Sequence, residues 1–266
     1  MNTQRFRDQV VWITGASSGI GEALALAFAR EGARLVLSAR RADELARVAA
    51  SCHGAAAVEV VTLDLADLAS LPAAVEGVLA RMGRVDVMVH NGGISHRSRV
   101  VETALAVDER VMRVNYFGAV TLTKALLPSM ASRRRGRFVV LSSVMGVYSA
   151  PTRAAYAASK HALHGFFDAV RAEHAGDGLG VTLVCPGFVR THMGPNSLTG
   201  DGSPRGAIAD AAPKGMPAER CAAAVLDAAH RGRDEVYLGG RERLAVYLKR
   251  YAPSVLAFLL PRLKPS

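Results

Sequence analysis

The segment Val10–Gly21, VVWITGASSGIG, restricts the folds open to this chain more than any other. A β-branched apolar run (Val10, Val11, Ile13) gives way abruptly to small residues, with glycines at Gly15, Gly19 and Gly21, and a helical pattern then begins at Leu24, Ala27 and Phe28. That order reads as a buried strand, a tight turn and a helix. A turn without side chains lets backbone amides approach an anion at the helix N-terminus, where unpaired N–H groups and the helix dipole favour negative charge. The spacing is G-x-x-x-G-x-G, not the commoner G-x-G-x-x-G. Glycine also serves plain turns, so the motif needs support from the rest of the chain.

Strand-like runs recur near 10–14, 34–38, 58–63, 85–90, 137–142, 181–185 and 235–238, with helical patterns near 19–30, 42–50, 68–82, 104–131, 155–175 and 217–231 between them. This alternation predicts a doubly wound α/β fold, a parallel seven-stranded sheet flanked by helices, as a single domain over 1–240. Its ligand crevice should lie at the carboxyl ends of the strands. Residues 192–216, rich in Gly, Pro, Ser and Asp, break the alternation. A connection of that length is either a lid or disordered, and its position after a strand end favours a lid over the crevice. Residues 241–266 form an apolar and basic tail interrupted by prolines. Two placements suit it: packing beside a substrate mouth or a subunit interface, which is preferred, or lying in a membrane surface with its basic flanks on anionic lipid.

Composition removes other classes. Half of the 266 residues are apolar, which argues against disorder. The net charge of +10 is spread along the chain, with one compact run at Arg133–Arg135. No zinc-finger spacing or aromatic-basic interleaving accompanies it, so no nucleic-acid partner is expected. Cys52, Cys185 and Cys221 lie far apart without a C-x-x-C, which predicts small buried thiols in a reducing cytoplasm rather than disulfides or a metal site. His161 and His164 share a helix but lack a third partner in the pattern, so no metal is expected there. Residues 1–9 are polar and basic and the first strand follows at once, leaving no room for a signal peptide. No apolar run reaches the length of a spanning helix.

The glycine turn is followed in order by NGG at Asn91–Gly93, Asn115 within a helical pattern, LSS ending at Ser143, YAASK from Tyr156 to Lys160, and Pro186-Gly187. This ordered set resembles the short-chain dehydrogenase/reductase family over about residues 10–240. HNGGISHRS together with YAASKHALHGFF is most similar to the branch of membrane-associated steroid and retinoid carbonyl reductases. The resemblance implies a Rossmann fold and a set of site residues. Gly15, Ser17, Ser18, Gly19, Ile20 and Gly21 match the pyrophosphate turn; Asp64 and Leu65 the adenine contacts; Asn91 and Gly93 the N-x-G element; and Pro186, Gly187, Val189 and Thr191 the nicotinamide cradle. Ser143, Tyr156 and Lys160 match the catalytic set, with Asn115 as its fourth member. The family pattern N-N-A-G reads His90-Asn91-Gly92-Gly93 here; His90 is expected to support packing. The family also implies a homodimer or homotetramer built on its fourth and fifth helices.

The chemistry suits these residue types. Tyr156 and Lys160 are four apart and share a helix face. A free tyrosine has a pKa of about 10, and a nearby ammonium lowers it, so Tyr156 can exchange a proton with a carbonyl or alcohol oxygen. Lys160 is also expected to hold the cofactor ribose, Ser143 to polarise the substrate oxygen, and Asn115 to position a water leading from Lys160 to solvent. At the end of the second strand, LVLSARR puts Ala39 where an acid would bind the ribose 2′-hydroxyl of NAD, followed by Arg40 and Arg41. Arginine pairs with a 2′-phosphate, so NADP(H) is expected, chiefly through Arg40 with help from Ser17.

The leading expectation is an NADPH-dependent carbonyl reductase or alcohol dehydrogenase acting on an apolar small molecule. A 3-oxoacyl-carrier-protein reductase is the close alternative: Arg134 falls at one docking arginine of that subgroup, but Asp177 stands at the second. A non-catalytic NADP-binding regulatory protein is the alternative of another class, disfavoured because Ser143, Tyr156 and Lys160 are all present.

Overall fold

Strand β1 (Val10–Thr14) is buried on both faces, as a central parallel strand must be. Val11 and Ile13 point into one core layer with Leu24, Phe28 and Val225, while Val10 and Trp12 point into the other with Leu122, Phe138 and Phe167. The period of two thus divides one short strand between two helix layers. The Trp12 indole N–H, deep in the second layer, donates to Ser38 Oγ at 2.8 Å.

The computed structural model describes residues 4–191, 197–206 and 215–262. Strands β1, β2 (Arg34–Ala39), β3 (Ala57–Thr62), β4 (Val87–His90), β5 (Gly136–Leu141), β6 (Leu179–Pro186) and β7 (Glu235–Leu238) form one parallel sheet in the order β3-β2-β1-β4-β5-β6-β7. Helices α1 (Gly19–Arg30), α2 (Ala42–Ser51), α3 (Leu71–Met82), α4 (Leu105–Met112), α5 (Gly118–Ser132), α6 (Ala154–Glu173) and α7 (Ala218–His230) cover it. The doubly wound sheet expected from the alternation is therefore present. The strand order reverses between β1 and β4, so their carboxyl ends open the crevice where such folds bind ligands.

Three local features bear on the site. The continuous helix expected over 104–131 is interrupted at Arg113–Phe117 by a π-helical turn. The wider turn re-aims side chains, and Asn115 lies within it, buried. Of the expected lid, 192–196 and 207–214 lie outside the described residues. Its middle is docked: Leu198 bridges His96 and Pro204, and Ala104 N–H donates to Gly200 O at 2.9 Å. The tail forms α8 (Glu242–Tyr251) and α9 (Pro253–Leu259). Val246 and Leu256 are buried against Val144 and Tyr148. Among the described residues no helix is long and apolar enough to cross a membrane.

The basic run is partly internal. Asp86 accepts from Val10 N–H at 2.9 Å and from Arg84 and Arg133 at 2.8 and 3.2 Å. Burial pushes its carboxyl up, but the Val10 amide and the two guanidiniums together hold it below its ordinary value.

Candidate active site

The glycine turn is built by backbone contact. Gly15 has φ +66°, and a Cβ there would lie 2.8 Å from Gly92 Cα. A Cβ on Gly21 would lie 2.1 Å from Gly15 O. From β4, Asn91 Nδ2 donates to Thr14 O and Gly15 O at 2.9 and 3.2 Å, while Thr14 Oγ1 accepts from the N–H groups of Asn91 and Gly92. Asn91 thus fastens the turn across the switch point. Ser18 stands at the N-cap of α1 in extended conformation, and its side chain makes no capping bond. The first amides of α1 are therefore left for an anion from outside the helix. Ile20 packs partly against the core. Thr191 lies over the turn, its Cγ2 3.1 Å from where a Gly19 Cβ would be.

At the adenine end, one of the two arginines is tied to the glycine turn. Both Arg40 and Arg41 are exposed, but it is Arg41, at the N-cap of α2, whose Nη2 donates to Ser17 Oγ at 3.2 Å. Nearby, Asp64 Oδ1 accepts from Ala66 N–H at 2.9 Å. Leu65 packs over position 92, where a Cβ would lie 2.5 Å from its Cδ1. A side-chain-free cradle and uncapped helix amides fit the pyrophosphate of a dinucleotide.

The proton-handling residues meet where β5 and β6 end. Ser143 caps the short turn Val144–Gly146, accepts from Met145 N–H at 3.1 Å, donates to Pro186 O at 3.3 Å, and pairs with the Tyr156 phenol. Lys160, one turn along α6 from Tyr156, is buried and donates from Nζ to Leu141 O at 2.7 Å. Burial pushes its pKa down to about 8. A Cβ on Gly93 would lie 3.1 Å from Asn115 Oδ1 and 3.8 Å from Lys160 Nζ, so the N-x-G element abuts this cluster.

Burial and hydrogen bonding bear on two of the expected roles. Burial holds Tyr156 above the ordinary tyrosine value; the Ser143 hydrogen bond and the Arg153 charge oppose this without overcoming it. Lys160 Nζ, 5.7 Å from the ring centroid, spends a donor on Leu141. In the protein alone, burial thus favours the neutral phenol. The Asn115 amide, for its part, is occupied by Ile94 N–H at 2.8 Å, Ile94 O at 2.9 Å and Ser159 Oγ at 3.0 Å. Its side chain fixes the loop after β4.

Some functional groups escaped the sequence reading. Arg153 donates to Ser95 Oγ at 2.9 Å and places its charge near Tyr156. Glu242, the first residue of α8, accepts from Phe188 N–H and Gly240 N–H at 3.2 and 3.0 Å, and a Cβ on Gly187 would meet its carboxylate at 2.0 Å. The tail thereby touches the Pro186–Val189 segment. Val189 in turn bridges Met216. No local motif announces either residue. His90 is buried, donor or acceptor to Thr123 Oγ1 at 2.8 Å and stacked on Phe138, and burial pushes its pKa down to about 3. It packs, as expected. All three cysteines are buried and free.

Comparison with known proteins agrees with this geometry. Residues 9–201 match the short chain dehydrogenase family profile. A Drosophila melanogaster protein named dehydrogenase/reductase SDR family protein 7-like is 44% identical over 269 residues, spanning 97% of this chain and 82% of its own. A short-chain dehydrogenase from Streptomyces avermitilis superposes with a TM-score of 0.81 at 31% identity, over 95% of this chain and 94% of its own. An alcohol dehydrogenase from the archaeon Thermococcus sibiricus, solved with 5-hydroxy-NADP, gives a TM-score of 0.75 at 29% identity, over 88% and 97%. With a glycine cradle at the switch point and Ser143, Tyr156 and Lys160 gathered beside it, the chain belongs to the short-chain dehydrogenase/reductase family of nicotinamide-dependent oxidoreductases.

Proposed function

We propose that this protein is an NADPH-dependent carbonyl reductase, interconverting a carbonyl and an alcohol on an apolar small molecule. The observation that carries the reading is the convergence of Ser143, Tyr156 and Lys160 at the end of β5 beside the glycine turn. The nicotinamide, when bound, supplies or takes the hydride. Tyr156, favoured in its protonated form by burial, would donate to the developing alkoxide; in the reverse direction its phenolate would take the alcohol proton. The Ser143 hydroxyl, held by Met145 and Pro186, orients and polarises the same oxygen. Lys160 supplies positive charge behind the phenol and is positioned to hold a ribose.

Reduction on this scheme needs Tyr156 protonated and Lys160 charged. As pH rises, Lys160 loses its proton first, because burial brings it down to about 8 while Tyr156 is pushed up. For carbonyl reduction, kcat/KM is expected to stay level below that value and fall above it. A pH series with saturating NADPH checks this, and Lys160→Met should abolish the alkaline limb along with most of the rate.

The preference for NADP(H) rests on Ala39 in place of an acid and on the Arg41–Ser17 pair. The 5-hydroxy-NADP bound by the archaeal relative is in keeping with it. Arg41→Ala should raise the Kd for NADPH about 10-fold or more, a loss of about 1.5–3 kcal/mol for a charge-assisted bond, with little effect on NADH. Fluorescence titration of both cofactors measures it. The same protein, assayed for NADPH oxidation with steroid ketones, retinal, aromatic aldehydes and 3-oxoacyl thioesters, tests the activity and the substrate class. Failure with every carbonyl despite tight NADPH binding would favour the non-catalytic reading.

Apolar substrates are favoured by what surrounds the Ser143 turn. Val144, Met145, Val147 and Tyr148 pack with Val246 and Leu256 of the tail. The outer tail exposes Leu244, Tyr251 and Phe258 near Lys249, Arg250 and Arg262, which suits a peripheral contact with anionic lipid. A steroid- or retinoid-like substrate in a reducing, cytoplasmic setting is consistent with this and with three free thiols. The carrier-protein reading weakens because Arg134 already donates to Gly176 O at 2.6 Å. We expect a homodimer or homotetramer; Leu105 and Phe117, exposed on α4 and just before α5, suit such an interface. Light scattering should return a mass of two or four chains.

A further inference from the structure

His164, Cys185 and Glu235 come from three elements, α6, β6 and β7, yet one ligand atom from each lies within 4.8 Å of the others. Cys185 Sγ is 3.6 Å from His164 Nε2 and 3.6 Å from Glu235 Oε1, and Glu235 Oε1 is 3.5 Å from His164 Nδ1. Neither neighbour is close to His164 in sequence; both arrive through the sheet. His161 takes no part: its Nδ1 is bonded to Ala157 O at 2.8 Å.

We propose that His164, Cys185 and Glu235 form a binding site for a borderline-soft divalent cation of the Zn2+ class, with water as fourth ligand. Nitrogen, thiolate and carboxylate are the donors such an ion takes. With metal–ligand distances of about 2.0–2.3 Å, the edges of a tetrahedron are about 3.3–3.8 Å; Glu235 Oε1 lies at that scale from Cys185 Sγ and from His164 Nδ1, and one ligand atom of each of the three lies within 4.8 Å of the others. A thiolate and a carboxylate also neutralise a dication, with the imidazole neutral.

An outer layer is in place as well. Tyr237 Oη donates to Glu235 Oε1 at 2.8 Å, and Ser142 Oγ lies 2.8 Å from His164 Nε2. Binding through Nδ1 would leave Nε2–H donating to Ser142, the kind of bond that fixes a ligating imidazole. Gly146 makes room here, since a Cβ would lie 2.6 Å from His164 Nε2. Cys185 is fully buried, whereas Glu235 is exposed, so one side of the cluster opens to solvent and gives an entry path. Binding forms the metal–sulfur bond and releases the thiol proton to solvent.

The site adjoins the reaction centre without belonging to it. His164 is one helical turn beyond Lys160, Cys185 immediately precedes Pro186, and Ser142 immediately precedes Ser143. Lys160, Asp168 and His161 are the other charged or titratable groups whose fields reach His164.

The test is a Co2+ titration of the full-length, reduced, chelator-treated protein, followed by visible and near-ultraviolet absorption. One equivalent should produce the visible bands of tetrahedral cobalt and a thiolate charge-transfer band, release one proton, and be displaced by Zn2+. The charge-transfer band should vanish in Cys185→Ser and persist in Cys52→Ser and Cys221→Ser. Glu235→Gln, at an exposed position that does not threaten folding, should weaken binding about 10-fold or more. Zn2+ should raise the melting temperature of the unaltered protein and not that of Glu235→Gln. Absence of a thiolate band, its survival in Cys185→Ser, or undiminished affinity in Glu235→Gln would each overturn the proposal.

Discussion

Replacing Tyr156 with phenylalanine is expected to lower turnover with NADPH by about 10²–10⁴-fold, the usual contribution of a positioned general acid. That corresponds to about 3–5 kcal/mol of transition-state stabilisation. The ring keeps its packing, and what is lost is one hydroxyl that pairs with Ser143. NADPH affinity should change little, because the glycine turn and Arg41 are untouched. The two readouts separate the explanations. A fall in kcat with an unaltered cofactor titration places the proton with Tyr156. Loss of both would point to a structural effect, and retained turnover would remove Tyr156 from the mechanism altogether.

Gly21→Ala should be the most damaging small substitution in the turn. The new methyl would lie 2.1 Å from Gly15 O and 2.6 Å from Asn91 Nδ2. The first of these is backbone, held by Asn91 and by the end of β1, so it has no flexible tip to swing aside. Overpacking of this kind costs about 1–3 kcal/mol. Relief by displacement of Gly15 would also pull the cradle out of shape. The expected results are a lower midpoint in denaturant unfolding and loss of measurable NADPH binding. Gly77→Ala in the interior of α3 is the control. Its methyl would meet only the guanidinium end of Arg81, at 3.1 Å, which can rotate away. Helix propensity there predicts a gain of about 0.5–1 kcal/mol and unaltered NADPH binding. If both alanines behaved alike, close backbone approach would not be what Gly21 provides.

The architecture was open to reading because its signals are local. Each strand is a short β-branched or apolar run, each helix a 3.6-residue pattern, and a parallel sheet covered on both faces is what their alternation requires. The glycine turn and the four-residue spacing of Tyr156 and Lys160 are local too, since they are properties of one turn and one helix. The interruption at Arg113–Phe117 left no such trace: a helix with one wide turn keeps nearly the same apolar pattern on either side.

By itself, then, the sequence determined the order of elements, the turn that leaves the first amides of α1 uncapped, and the residue types that can carry a proton. The tertiary structure decided what depends on burial and on groups distant along the chain. Burial favours the neutral Tyr156 phenol and brings Lys160 down to about 8, which no spacing expresses. The end of β2 and the start of α2 turn Arg41 rather than Arg40 toward Ser17. The sheet also brings His164 to Cys185 and Glu235 across 21 and 71 residues and lays Glu242 against the Pro186–Val189 segment. The physical reason is the same in each case. A pKa is set by the surroundings of a group and a contact by through-space distance, and both exist only once the strands have paired.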